Sequence, residues 1–319
     1  MSTIYGREGD SLLYRWHRRT QTRLGNAAVL WMARHCQRLP ERRARRLGMA
    51  LGTAMRLLSP RHARIVMTNL RLAFSREKSE REIAALARAC YQHLGLCLTE
   101  FMRLPAMSAG ELLSAVQLRG RERLDEALSL GRGAILLTGH LGNWEFVGSR
   151  IAAEGYPLSV IARAQRDTEI TEYARLTRER MGMRVLHRDV AVRGALRALR
   201  DNELVGILID QNAGDDGVFV DFFGQPASTA PGAAAFALRT GAAVLPTWGW
   251  REPDGTHVAQ VDPAVPLLRT GDRQQDIVAN TAAFTSILED RIRRHPEQWF
   301  WLHKRWKSRP PAQREASSG

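Results

Sequence analysis

Up to about residue 110 the apolar positions recur at spacings of three and four, the period of amphipathic helices. Ser79-Glu80-Arg81-Glu82 has capping-box spacing, and Ile83, Leu86, Ala87, Cys90, Leu94, Cys97, Leu98 and Phe101 then follow on one face. That segment predicts a helix of about six turns. From Gly133 the texture changes to short apolar runs: AILL (134–137), LSVIA (158–162), MRVL (183–186), LVGILI (204–209), VFV (218–220), AAVLP (242–246) and HVAQV (257–261). Helix-like segments near 143–154, 168–181, 190–201 and 231–240 separate them, and a final helix is expected near 274–294. Buried strands alternating with helices predict an α/β fold, a mostly parallel central sheet with helices on both faces, preceded by an all-helical N-terminal segment. The expected organisation is a basic helical region over 1–110 packed on the same domain, an α/β core over 111–310 and a flexible tail over 311–319.

Composition narrows the class. With 44% hydrophobic and 25% charged residues in 319, the chain is globular rather than collagen-like or disordered. Cys36, Cys90 and Cys97 are too few for a disulfide scaffold and lack C-x-x-C spacing, and no secretory h-region opens the chain, so a reducing compartment is expected. The net charge of +14 is uneven: residues 1–110 carry +13, residues 111–286 carry −3 and residues 287–319 carry +4. Basic ends around a nearly neutral middle suit an anionic partner, whether nucleic acid, lipid headgroups or an acidic carrier protein. No run of about 18 apolar residues predicts a membrane span. Leu47 to Leu58 (LGMALGTAMRLL), which follows Glu41-Arg42-Arg43-Ala44-Arg45-Arg46, reads either as a helix lying on a membrane interface or as a surface helix packed on the core.

The usual chemical motifs are missing: there is no phosphate-binding P-loop, no G-x-G-x-x-G, no G-x-S-x-G elbow and no metal-binding H-E-x-x-H, so neither a metal nor a cofactor is expected. What remains is Thr138-Gly139-His140-Leu141-Gly142-Asn143-Trp144-Glu145, directly after the run AILL. A histidine leaving the carboxyl end of a buried strand sits where open α/β sheets place their sites. Glu145 would fall in the first turn of the next helix, where it can reach back toward the imidazole, and a carboxylate-oriented histidine is a general base for a hydroxyl. His257 with Asp262 has the same spacing. In a strand, however, a separation of five puts the two on opposite faces, and His257 reads as structural.

HLGNWE (140–145), DQNAGDDGVFVDFFGQPASTAPG (210–232), TGAAVLP (240–246), PEQWFWLHKRWKSRP (296–310) and Asn69-Leu70-Arg71-Leu72-Ala73-Phe74 together resemble the lipid A late acyltransferase family, the lauroyl/myristoyl transferases of lipopolysaccharide assembly. The resemblance implies a glycerophosphate-acyltransferase-like fold and transfer of a fatty acyl chain from acyl carrier protein, or from coenzyme A, to a lipid hydroxyl without a covalent acyl-enzyme. His140 would be the base and Glu145 its orienting carboxylate, with Asp210, at another strand end, either a second carboxylate facing His140 or only a cap of the next loop. Arg163 would contact a phosphate or oxyanion, or else be a surface arginine after a strand. Gln211, Phe222, Phe223 and Thr229 would line the acyl or acceptor cleft, the aromatics being otherwise plain core. Trp299, Phe300, Trp301 and Trp306, interleaved with basic residues, would suit a headgroup interface or pack on the sheet. The resemblance places the protein on the cytoplasmic face of the inner membrane; many members of the family have an N-terminal membrane span, and the short apolar runs here depart from that and favour a peripheral or monotopic protein. Lipid A precursor is the default acceptor, and lysophospholipid, ornithine lipid and mannosylated glycolipid are alternatives. A nucleic-acid-binding protein is disfavoured because no recognition motif appears and the middle of the chain is slightly acidic.

Overall fold

The structure, a computed structural model, describes residues 12–162 and 169–310. Four helices come first: α1 (Leu12–Arg38), α2 (Glu41–Leu58), α3 (Pro60–Phe74) and α4 (Glu80–Arg103). The core then runs α5 (Ala109–Ala115), β1 (Val116–Arg119), α6 (Arg121–Ser129), β2 (Ala134–Thr138), α7 (Trp144–Ala153), β3 (Leu158–Ala162), α8 (Glu169–Arg180), β4 (Met183–His187), α9 (Arg188–Arg200) and β5 (Leu204–Leu208). It closes with β6 (Val218–Phe222), β7 (Gln225–Thr229), α10 (Gly232–Thr240), β8 (Ala243–Arg251), β9 (His257–Val261) and α11 (Arg273–Arg294). The expected capping box forms at Ser79 and Glu82 at the head of α4.

Seven strands make one sheet in the order β1-β9-β8-β2-β5-β3-β4. Neighbours are parallel except at the antiparallel β8–β9 step. β2 shows why its apolar run is continuous. Ile135 and Leu137 enter the core beneath α3, α4, α9, α10 and α11, whereas Ala134 and Leu136 enter the opposite core with α5, α6 and α7. The run VFV does not join this sheet; it belongs to a separate β6–β7 hairpin. The short β1 and β7 lack an apolar run long enough to announce them.

In α2 the buried face consists of Ala44, Gly48 and Gly52, seated on α4, where a Cβ at Gly52 would stand 2.0 Å from the Tyr91 carbonyl oxygen. The larger apolar residues of α2 point outward: Met49, Leu57 and Leu58 are exposed, as is Trp31 of α1. No helix among the described residues is long and apolar enough to cross a membrane.

After α11 the chain returns across the carboxyl edge of the sheet as an irregular strap. Trp299 bridges Leu141, Phe300 N–H donates to the His140 carbonyl (3.0 Å), and Gly142 N–H donates to the Gln298 carbonyl (2.9 Å). Asn69 of α3 holds the strap from behind, its amide donating to the Trp301 and His303 carbonyls at 2.8 Å each. Asn69→Ala should therefore leave two carbonyls without their donor and destabilise the protein by about 2–3 kcal/mol, read as a lowered urea midpoint. Wild-type stability in this variant would mean the strap is held by other contacts.

Candidate active site

The register of two adjacent strands builds the site. β2 and β5 are parallel neighbours with Thr138 opposite Leu208, so the residues two steps beyond each strand end, His140 and Asp210, also come face to face. The step is continued by Ile209 N–H donating to the Thr138 carbonyl (3.1 Å). His140 Nδ1 lies 2.7 Å from Asp210 Oδ1, and His140 backbone N–H donates to Asp210 Oδ2 at 2.6 Å. The Trp299 indole N–H, delivered by the strap, donates to the same Oδ2 at 2.8 Å. Gly139 makes the approach possible, since a Cβ there would stand 3.0 Å from Asp210 Oδ2 and 2.9 Å from Leu288.

Asp210 is only 2% exposed, yet it is ionised. Burial by itself would raise its pKa, but the charge and hydrogen bond of His140, the His140 backbone N–H and the Trp299 indole outweigh that and hold it at about 2. An ionised Asp210 accepts from Nδ1, which places a ring proton there; a ring without a second proton then presents its lone pair at Nε2. His140 keeps 20% of its side chain exposed, and the Gln211 amide nitrogen lies 3.5 Å from Nε2. Trp144 packs edge-on against the imidazole at a centroid distance of 4.8 Å, with Phe300 on a further side at 6.0 Å.

Glu145 is placed differently from the sequence expectation. It does fall in the first turn of α7, but its carboxylate is taken by Arg178 of α8, at 2.5 Å to Oε1 and 3.0 Å to Oε2, and by the Trp144 indole N–H at 3.1 Å. The carboxylate on the imidazole is Asp210. A five-residue reach across a loop and helix start turns Glu145 toward α8, whereas strand pairing carries Asp210 to the ring. Gln211, expected in the substrate cleft, has its amide nitrogen beside His140 Nε2. Phe222, Phe223 and Thr229 do not line a cleft: they are 0%, 5% and 0% exposed. Phe222 packs on Trp299 and Trp306, Phe223 on Phe74 and Trp301, and Thr229 accepts from the buried Arg305. Trp299 and Trp301 are likewise inside the core, which overturns a headgroup-depth position for those two rings. Arg163 lies outside the described residues.

Sequence reasoning missed the support beneath the His140 loop. Gly142 adopts φ +60°, and its carbonyl meets Cys97 Sγ at 3.4 Å and His93 Nε2 at 3.3 Å. Asn143 caps α7 through Phe146 N–H, and its amide donates to Glu100 Oε2 at 2.8 Å. Glu100 in turn pairs with Arg251 and His257, so His257 belongs to this buried network while Asp262 turns to Arg291 and Trp248. Burial would raise the Glu100 carboxyl, but the His257 and Arg251 hydrogen bonds drive it well below the carboxylate range. These partners come from α4, β8 and β9, which no local motif connects.

A narrow cavity beside His140 is lined by Cys90, His93, Leu94 and Cys97 of α4 together with Trp144, Trp299, Phe300 and Leu302. Burial pushes both of its thiols well above their usual range, so neither is poised as a nucleophile. No group of metal-ligating side chains occurs among the described residues.

The family model described as bacterial lipid A biosynthesis acyltransferase matches residues 14–308. Among curated proteins, the chain is 30% identical over 224 residues to a phosphatidylinositol mannoside acyltransferase of Mycobacterium tuberculosis, covering 68% of this chain and 69% of that protein. It is 28% identical over 288 residues to the lipid A biosynthesis lauroyltransferase of Escherichia coli, covering 88% and 90%. It is 26% identical over 269 residues to the palmitoleoyltransferase of the same organism, covering 83% and 85%.

Two outcomes follow from the geometry. Burial depresses His93 to about pH 4 from an ordinary 6.5, so the unfolded chain binds more protons between these values and stability falls as pH drops through that window. Urea midpoints from pH 7 down to 4.5 should fall less steeply in His93→Gln than in wild type; equal slopes would contradict a buried neutral His93. Asp210→Asn should keep the packing but lose the tautomer lock, lowering kcat by about 10²–10⁴-fold. A folded Asp210→Asn protein with normal kcat would remove Asp210 from the site.

Proposed function

The chain belongs to the bacterial lipid A biosynthesis acyltransferase family and is an acyltransferase, and we propose that it moves a fatty acyl chain from an acyl carrier protein thioester to a hydroxyl of a lipid A precursor, with His140 as base. The observation that carries this reading is the His140–Asp210 pair at the carboxyl edge of the sheet, in which Asp210 takes Nδ1 and leaves Nε2 for the substrate. Nε2 takes the acceptor's hydroxyl proton as the oxygen attacks the thioester carbonyl. Asp210 stabilises the imidazolium that forms, and the tetrahedral intermediate collapses with departure of the thiolate, which His140 reprotonates. The Gln211 amide, beside Nε2, is the donor placed to hold the acceptor oxygen or the developing oxyanion. A thioester is already activated, so the chemistry asks for a base, a donor and positioning, and the protonated, buried Cys90 and Cys97 favour direct transfer over an acyl-enzyme.

A second acceptor is favoured by one specific finding, the 30% identity to mycobacterial phosphatidylinositol mannoside acyltransferases. On that reading the same residues acylate a mannosylated glycolipid. The outward Trp31, Met49, Leu57 and Leu58, together with the exposed Arg42, Arg43 and Arg46 of α2, support a peripheral seat of α1 and α2 on an anionic bilayer at the cytoplasmic face of the inner membrane. Basic ends also suit an acidic carrier protein.

The test is acyl transfer by the purified full chain from fatty acyl carrier protein to a panel holding a lipid A precursor and a phosphatidylinositol mannoside, run beside His140→Ala. Transfer to the lipid A precursor is expected, and it should fall by about 10²–10⁴-fold in the variant. Near-normal turnover by folded His140→Ala would contradict the base assignment, and transfer to the mannoside alone would replace the acceptor.

A further inference from the structure

A second cavity, of about 480 Å³, opens next to the first, and Leu302 of the strap forms a wall of both. Its lining is Arg61, His62 and Ile65 from α3, Asn212 from the loop after β5, and Leu302, His303, Lys304 and Lys307 from the strap. No lining residue is acidic. Arg61, Lys304 and Lys307 have no carboxylate partner among the described residues, whereas Arg150, Arg178, Arg251 and Arg291 each pair with one. Two cationic side chains of the strap thus face one at the head of α3 without a counter-charge.

The head of α3 sharpens the point. Its first turn holds no acidic residue, and Arg61 and His62 stand at the end where the helix dipole is already positive, a placement that disfavours cations unless an anion lies between them. The Ser59 hydroxyl, in the N-cap position, turns to His62 Nδ1 (2.7 Å) instead of capping a backbone N–H. The opposite wall is tied to the reaction centre. Asn212 lies two residues beyond Asp210, its N–H donates to His303 Nε2 at 2.8 Å, and its amide donates to Ser308 Oγ at 3.0 Å. The volume is that of a site for a small ligand or a headgroup.

We propose that this cavity binds a phosphate group of one of the two substrates and so fixes that substrate's position relative to His140. The inference rests on the acyl-transfer reading above and adds the charged group through which a substrate is held. Phosphate reaches such a site from either of two sources: the headgroup of the acceptor lipid, or the phosphodiester of the pantetheine arm that acyl carriers and coenzyme A share. Guanidinium and ammonium donors around a single anion suit both.

The experiment uses the full chain and the double variant Arg61→Ser with Lys307→Ser, both at exposed positions. Inorganic pyrophosphate should raise the Tm of the wild type and lose that effect in the variant; this readout is independent of turnover, so it holds or fails whether or not acyl transfer is ever detected. In kinetics, the variant should show a KM raised about tenfold or more for the phosphate-bearing substrate, with kcat retained. Transfer is then compared with a dephosphorylated acceptor, and separately with an acyl N-acetylcysteamine thioester as a phosphate-free donor. The substrate whose phosphate removal abolishes the difference between wild type and variant is the one held here. An identical pyrophosphate response in the two proteins, or an equal loss with phosphorylated and phosphate-free substrates alike, would overturn the proposal.

Discussion

The pairing of β2 with β5 is the constraint on which the site depends. Because Thr138 stands opposite Leu208 in a parallel register, His140 and Asp210 emerge side by side without any local motif to join them. A one-residue slip in either strand would turn one of the pair to the other face. That slip is resisted by the alternating split of β2 between two cores, with Ile135 and Leu137 on one side and Ala134 and Leu136 on the other. The hydrophobic core therefore sets the geometry of the polar site.

Asp210 carries the electrostatic side of this arrangement. A carboxylate at 2% exposure would be costly alone, by several kcal/mol. It is held ionised by donors from His140 and Trp299, and those same bonds define the site: one fixes the imidazole tautomer, one fixes the loop and one fixes the strap. The Glu100–Arg251–His257 network does the equivalent work under Asn143, joining α4 to the turn that follows His140. Helical front and sheet thus share one polar interior, and the strap held by Asn69 closes it.

Much of the fold was legible because its signals are local. The runs LSVIA and HVAQV coincide with β3 and β9, and the Ser79 capping box starts α4 where its spacing indicates. His140 was legible for the same reason, as a histidine between glycines after a buried strand. Its partner was harder. Spacing favours Glu145, five residues away, while the contact that forms is with Asp210, 70 residues on, because only strand order decides which residues flank β2. The aromatic block left two readings open for a related cause: Trp299 and Trp301 lie just ahead of the basic run Lys304, Arg305 and Lys307, as interface rings can, yet the strap folds them inward against Phe222, Phe223 and Phe74. The outward apolar face of α2 could not be told from a core face by periodicity, since its buried side is made of Ala44, Gly48 and Gly52.

The central claim, that Asp210 rather than Glu145 holds the His140 imidazole, is tested most directly by proton NMR of the His140 ring N–H at neutral pH in wild type, Asp210→Ala and Glu145→Gln. A downfield Nδ1–H resonance assigned to His140 is expected in wild type, retained in Glu145→Gln and absent from folded Asp210→Ala. Loss of that resonance in Glu145→Gln with its persistence in Asp210→Ala would contradict the account.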